Sequence, residues 1–448
     1  HARCAAHLPS IGSYTALSGL SKHLCGFSPS CFQNSTGKAA KAPPEQFEDG
    51  DISKPDIAAA VAIEIALRML FTTKGAMLYI MRAGMGEAVI APLYEVLRDR
   101  GVKFEFFRRL DQIVLAPGGR SIQKLVFTCQ AEVVNGEYIP TAVDDQTGLV
   151  YWPSAPFWPR LRDGAEMQRA EVNFESHWYK WRSYGTEELM QGDSFDEVVL
   201  AIPVGAFSKL NQQDHCIAEE LIAANPRFRQ MTENIGLIPT LAAQLWCTSD
   251  LAGLGWSLQR PAAVGASEPL SIWADMSEVM RFEKRQAQAL PASLQYFCGV
   301  YGTTLFRRPS NDASVPDIAS RQVHDIAIDW LEKFTRTFLP IACNSDSTVN
   351  WNFLYARSGA AGIKRFDSQY WRANIDPTEC IPSSAVRSAK WRLAANESGF
   401  DHLYLAGDWV KTGLDVSSAE CAVMAGMQAA RAICGSPRQV AGENFLWK

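Results

Sequence analysis

The residues best equipped for chemistry crowd into residues 400–435. Leu403, Tyr404, Leu405 and Ala406 form a short apolar run, the pattern of a buried strand. Gly407 lets the backbone turn closely. Asp408 then stands at the strand's carboxyl end, the side on which open α/β sheets bind ligands. A loop, 410–415, leads into a helix whose start carries Ser417 and Glu420, the spacing of a capping box. On that helix Ala419, Ala422, Val423, Gly426, Ala430 and Ile433 make one small apolar face, expected to lie close against a sheet. Its free N–H groups and positive dipole end would point back toward Asp408, a natural anion site. A plain strand–loop–helix unit with Asp408 as a turn residue satisfies the same pattern.

Other candidates carry less. The seven histidines, His1, His7, His23, His177, His215, His324 and His402, show no metal-ligand spacing, so no metal is expected. There is no G-x-S-x-G elbow and no Walker loop. The aromatic group Trp152, Phe157, Trp158, Trp178, Tyr179 and Trp181 suits core or loop anchoring, or the wall of an apolar tunnel. Arg357, Arg365, Tyr370 and Trp371 lie upstream of the Asp408 unit without an assignable role. The 11 cysteines are odd in number and form no CxxC pair, which favours buried, reduced thiols and a reducing compartment.

Several elements must position these residues. Ala59, Ile63, Leu67 and Phe71 fall four apart and predict a buried or half-buried helix within 56–81. Its Glu64 and Arg68 are placed to pair across one turn. It is too short to cross a bilayer, and peripheral membrane contact stays open. After the turn 82–86, Val89, Leu93, Val96 and Leu97 predict a second helix capped by Gly101, with Pro92 forcing a kink or a later start. Residues 102–114 and 125–127 read as strands flanking a Gly118-Gly119 turn. Residues 196–203, acids followed by an apolar run and a proline, suit a buried parallel strand. Apolar runs at 241–246, 270–273 and 294–301 suggest a mostly antiparallel sheet, and 321–338 reads as a helix.

The segment 400–435, with its LAGDW-x-K followed by a Ser-Ser-x-Glu helix, resembles the C-terminal flavin motif of the amine oxidase and phytoene (carotene) desaturase superfamily. Residues 82–107 are similar to the family's glycine turn, helix and strand, and 196–203 to the strand that rejoins its dinucleotide-binding sheet. The three blocks stand in the family order. The resemblance implies FAD as cofactor. Asp408 would hydrogen-bond it toward the ribityl and pyrophosphate region, and Gly407 would permit close approach. Val416 and Ser417, at the helix start, would face the flavin; Gly413 and Leu414 would border the ring, with Trp409 packed near it or in the core.

The chain departs from the family at one point. The strand–GxGxxG–helix fingerprint that cradles the FAD pyrophosphate is absent, since neither Gly84-Met85-Gly86 nor Leu251–Gly255 matches it. The expectation is an incomplete sequence beginning at His1, with an exposed sheet edge where the missing strand would pair.

The 448 residues are 47% hydrophobic and 20% charged with a net charge of −5, which suits a globular chain and gives no footprint for nucleic acid. The expected fold is mixed α/β: an incomplete FAD-binding Rossmann-like domain (82–135, 196–205 and 400–435) and a largely antiparallel substrate domain (206–399). A poorly ordered leader (1–55), a helical substrate-domain segment (56–81), an irregular insertion (136–195) and a tail (436–448) complete it. The expected activity is FAD-dependent oxidation of a C–H bond in an isoprenoid-like or amine small molecule. The alternatives are a non-catalytic flavoprotein remnant that binds a partner, or one half of a flavoenzyme completed by a partner chain.

Overall fold

The computed structural model describes residues 56–72, 81, 83–145, 147–207, 216–257, 262–264, 267–282, 290–356 and 359–444. The expected leader, Arg82, His215 and Arg357 lie outside the described residues. The chain runs through helix α1 (Ala59–Phe71), one π-helical turn (Gly86–Ile90), α2 (Ala91–Asp99) and the hairpin β1 (Arg108–Leu115) and β2 (Ile122–Cys129). Next come β3 (Ala142–Val143), β4 (Val150–Tyr151), α3 (Gly164–Arg169), β5 (Thr186–Met190) and β6 (Val198–Leu200). Two short helices, α4 (Glu219–Ala224) and α5 (Pro226–Asn234), precede β7 (Leu237–Ile238), β8 (Thr240–Cys247), β9 (Ala262–Val264), β10 (Ile272–Asp275) and β11 (Ser293–Val300). The last elements are α6 (Val315–Phe338), β12 (Tyr370–Asn374), β13 (Ile381–Pro382), β14 (Leu403–Leu405) and α7 (Ala419–Cys434). The class is mixed α/β, as expected.

The largest sheet is antiparallel, in the order β12-β8-β11-β10-β9. Its central strands β8 and β11 are buried along nearly their whole length because both faces are covered. On one face Ala319, Val323, Ala327, Trp330 and Leu331 of α6 pack against Leu241, Ala243, Leu245 and Phe297. On the other, Ala242, Ile272, Tyr296 and Cys298 meet Met81, Met85 and Met276. The buried Gln295 is satisfied, accepting from Trp273 Nε1 at 3.0 Å and donating to Asp275 at 3.1 Å.

The second core surrounds a two-stranded parallel pair, β14 beside β6, with Leu403 opposite Val198 and Leu405 opposite Leu200. The strand expected at 196–203 and the one at 403–406 are therefore neighbours. The edge of β14 away from β6 is not raw, which corrects the expected exposed edge. Leu405 N–H donates to Ala395 O at 2.8 Å, and Ser398 Oγ donates to Leu403 O at 2.6 Å. The segment 393–398 has folded back along it.

Several local expectations need correction. Residues 102–106 form no strand, and β1 begins at Arg108. Pro92 is accommodated in the first turn of α2 because the π-helical turn precedes it. Gly101 ends that helix at φ +84°, as expected. The strand β5, inside the expected insertion, joins β1 and β2 as a third antiparallel strand. The aromatic group splits among cores: Trp152 meets Tyr94 and Phe104, Trp178 joins the α6 core, and Phe157, Trp158, Tyr179 and Trp181 pack around Tyr138 and Met167. No helix among the described residues is long and apolar enough to cross a membrane.

The helix faces hold the largest surprise. Ile63, Leu70 and Phe71 of α1 point outward, Phe71 being 75% exposed, while Glu64 turns inward and pairs with Arg68 at 2.6 Å. Val89, Leu93 and Val96 are likewise exposed at α2, where Ala91 and Tyr94 are buried instead. On α7 the buried residues are Cys421, Met424, Ala425 and Ala429, and Val423 of the expected face is 58% exposed. The apolar stripes exist where periodicity placed them, but in each of these helices other residues face the core.

Candidate functional site

The turn after β14 is built on Gly407, whose φ of +133° is a conformation other residues rarely adopt. A Cβ there would meet Trp409 Nε1 at 2.6 Å. That indole cannot yield: Trp409 is fully buried, donates to Ile202 O at 3.0 Å and meets Phe207 edge-on. Trp409 thus packs in the core, one of the two places expected for it. The half-exposed Asp408 is left at the carboxyl end of the parallel pair.

Asp408 is bonded by Ser417, whose Oγ donates to its carboxylate. The cap therefore sits one residue later than expected, and with Cys421 at the third position it is not a capping box. Ser418 is the N-cap of α7 and accepts from Cys421 N–H at 3.1 Å, while Glu420 is exposed. The loop between is held by Asp415, which accepts from Thr412 N–H at 2.8 Å and Gly413 N–H at 3.2 Å.

Gly413 and Leu414 do not border an open site. A Cβ on Gly413 would collide with the backbone carbonyl of Glu443, and Gly413 O accepts from Arg68 of α1 at 3.1 Å. Leu414 is buried with Cys421, Met424 and Val440, and Val416 packs against the same group. The C-terminal turn covers this side of the loop, pinned by Arg431, which donates to both carboxylate oxygens of Glu443 at 2.7 Å. Those hydrogen bonds hold the Glu443 carboxyl down, to about 2.

Arg392 escaped the sequence reading. It is 2% exposed, and its Nη1 donates to Asp408 O at 2.6 Å. Its Nη2 donates to Ser384 Oγ at 3.2 Å and Ser383 O at 3.4 Å. The sequence sets it apart from Arg387 and Lys390, just upstream, by nothing periodic. Burial pushes the nearby Cys421 thiol up to about 11, so it is no nucleophile.

Whether these residues suit a flavin has a divided answer. Gly407, Asp408 and Ser417 fit, because a half-exposed carboxylate is oriented at a close backbone approach, and the buried donors Arg392 Nε and Ser383 Oγ beside it lack partners. Trp409, Gly413 and Leu414 do not fit, being occupied by the chain itself.

A second titratable cluster also went unread. Asp376 accepts from the backbone N–H of His177, and Glu379 pairs with Arg372. Burial, then the negative charge of Glu379, pushes the Asp376 carboxyl up to about 8. Pro377 in this turn packs on Gly205, just past β6. Arg365 donates to Leu354 O at 2.5 Å, and Trp371 stacks on Phe366, so both serve the sheet. Among the described residues, no group of three or more His, Cys, Asp or Glu could hold a metal ion. One hollow of about 520 Å³, lined in part by Lys103, Arg108, Glu132 and Tyr138, contains none of the predicted site residues.

No protein-family model matches the chain, and no curated protein matches it. Among solved structures, it is similar to an oxidoreductase from Methanosarcina mazei, at 10% identity with a TM-score of 0.38. The match covers 77% of this chain and 53% of that one, so the chain spans about half the length of that protein.

Proposed function

We propose that the chain is a flavin-dependent oxidoreductase of the amine oxidase and desaturase type, acting on an isoprenoid-like or amine small molecule. The observation that carries the reading is the Asp408 carboxylate, held by Ser417 at the carboxyl end of two parallel strands. Bound FAD would supply the acceptor for a hydride, or its equivalent, from a substrate C–H bond. The chain's own part is to bind and orient. Asp408 offers an acceptor to ribityl hydroxyls, Gly407 keeps the backbone close, and the α7 dipole favours negative charge near Ser417.

The test is a visible absorption spectrum of the purified chain after incubation with FAD and gel filtration. Retained flavin bands support the reading. A folded, monodisperse sample without them overturns it for this chain alone.

A second reading, in which a partner chain completes the cofactor domain, is favoured by the outward apolar faces of α1, α2 and α7. Co-purification of a flavin-bearing partner would support it.

A further inference from the structure

We infer that the hollow at one end of the β1–β2–β5 sheet binds a small organic cation with an apolar body. The register of the sheet builds it. Arg108 pairs with Cys129, so the chain entering β1 and the chain leaving β2 part at the same end. Gln130 N–H donates to Phe107 O and Tyr184 N–H donates to Cys129 O, both at 2.8 Å, which gathers the segments around one space. That space is about 520 Å³, within the range of small-molecule sites. Phe104, Phe106, Tyr138 and Tyr184 line it, and Phe104 and Tyr138 are buried. The rings fix one another. Phe106 stacks on Phe104 at 6.2 Å between centroids and meets Tyr138 edge-on at 5.4 Å. The Tyr138 hydroxyl accepts from Phe157 N–H at 3.0 Å. The aromatic lining is therefore preformed.

The rim decides the sign of the ligand. Part of its charge is spent within the chain: Arg108 Nε donates to Glu187 at 2.7 Å, and Glu132 accepts from Arg162 at 2.7 Å. Glu105 and Glu137 also line the hollow, and among the described residues they accept no hydrogen bond and form no ion pair. Lys103 is likewise without a partner among the described residues. Two unpaired carboxylates thus stand against one unpaired ammonium. Each carboxylate adjoins a ring of the lining, Glu105 between Phe104 and Phe106, and Glu137 just before Tyr138. Aromatic faces carry partial negative charge and attract cations. Rings and carboxylates therefore act in the same sense. An anion would meet both repulsions with Lys103 alone to offset them. Gly407, Asp408 and Ser417 do not line the hollow, so the inference goes beyond the flavin reading and does not depend on it.

The experiment titrates benzyltrimethylammonium into the full chain by calorimetry, with benzyl alcohol and phenylacetate as neutral and anionic counterparts. The cation should bind saturably, and about fivefold tighter than either counterpart. Glu105→Gln and Glu137→Gln together should weaken the cation by about fivefold and leave benzyl alcohol unchanged. Both positions are exposed, so the double variant should keep the parent's Tm. Lys103→Ala should tighten the cation by about twofold. Phe106→Leu keeps apolar bulk without the ring and should weaken it by a few-fold. If Phe106→Leu does not fold, the glutamine variant decides. The inference is overturned by no saturable binding of the cation, by equal binding of the three probes, or by cation binding indifferent to the glutamine variant. Phenylacetate binding that Lys103→Ala abolishes overturns it too, because the hollow would then take anions. Flavin retention is read from a separate sample, so either reading can fail while the other stands.

Discussion

Ser417 Oγ donates to the carboxylate of Asp408, nine positions earlier, joining the foot of α7 to the carboxyl end of β14. The bond orients this half-exposed carboxylate. Asp408→Ala removes the carboxylate and should weaken FAD retention by at least about tenfold, the worth of a charged hydrogen bond. Ser417→Ala leaves the acceptor free to rotate and should cost only a few-fold. Flavin absorbance retained through gel filtration measures both. Equal retention by the Asp408 variant and the parent would remove this carboxylate from the site.

Gly407→Ala tests the turn itself. The new methyl group meets an indole locked by its bond to Ile202, and the backbone is strained at positive φ. The expected loss of stability is about 1–3 kcal/mol, read from urea denaturation. A variant as stable as the parent would mean that the turn relaxes freely.

Asp376 sets a pH dependence. Its folded pKa lies above its unfolded value, so the native state holds the proton more tightly. The stability tied to that proton is complete below about pH 4 and is lost as pH rises toward 8. Asp376→Asn keeps an acceptor for His177 N–H without the charge. It should raise Tm by a few degrees at pH 9, with the gain shrinking toward pH 4. A gain independent of pH would rule out the titration.

Glu443 works in the opposite direction. Its pKa is depressed by Arg431, so its contribution is present above about pH 4.5 and lost as pH falls through about 2. Glu443→Gln should release the turn over Gly413, speeding amide exchange at 440–444 with little effect on the β8–β11 core. Unchanged exchange there would show that the turn is held by Val440 packing instead.

The sequence alone determined the local units. The strand–glycine–acid–helix order at 403–434, the apolar strand at 198–200, the all-buried strands β8 and β11 and the long helix α6 were legible, because alternation, apolar runs and turn residues follow from backbone geometry within a few residues. The two runs were legible as buried strands, but their parallel pairing as β6 and β14 was found only in the structure. Tertiary structure decided what each unit faces. Periodicity places Val423 and Ile63 on a stripe but not which side of the helix meets a core; distant segments settle that. The cap at Ser418 rather than Ser417 was decided by Asp408 taking the Ser417 hydroxyl. Trp409 was claimed by Ile202 and Phe207, both some 200 residues away. Arg392 carried no periodic signal, since its value comes from burial beside a carbonyl that only the folded chain brings to it.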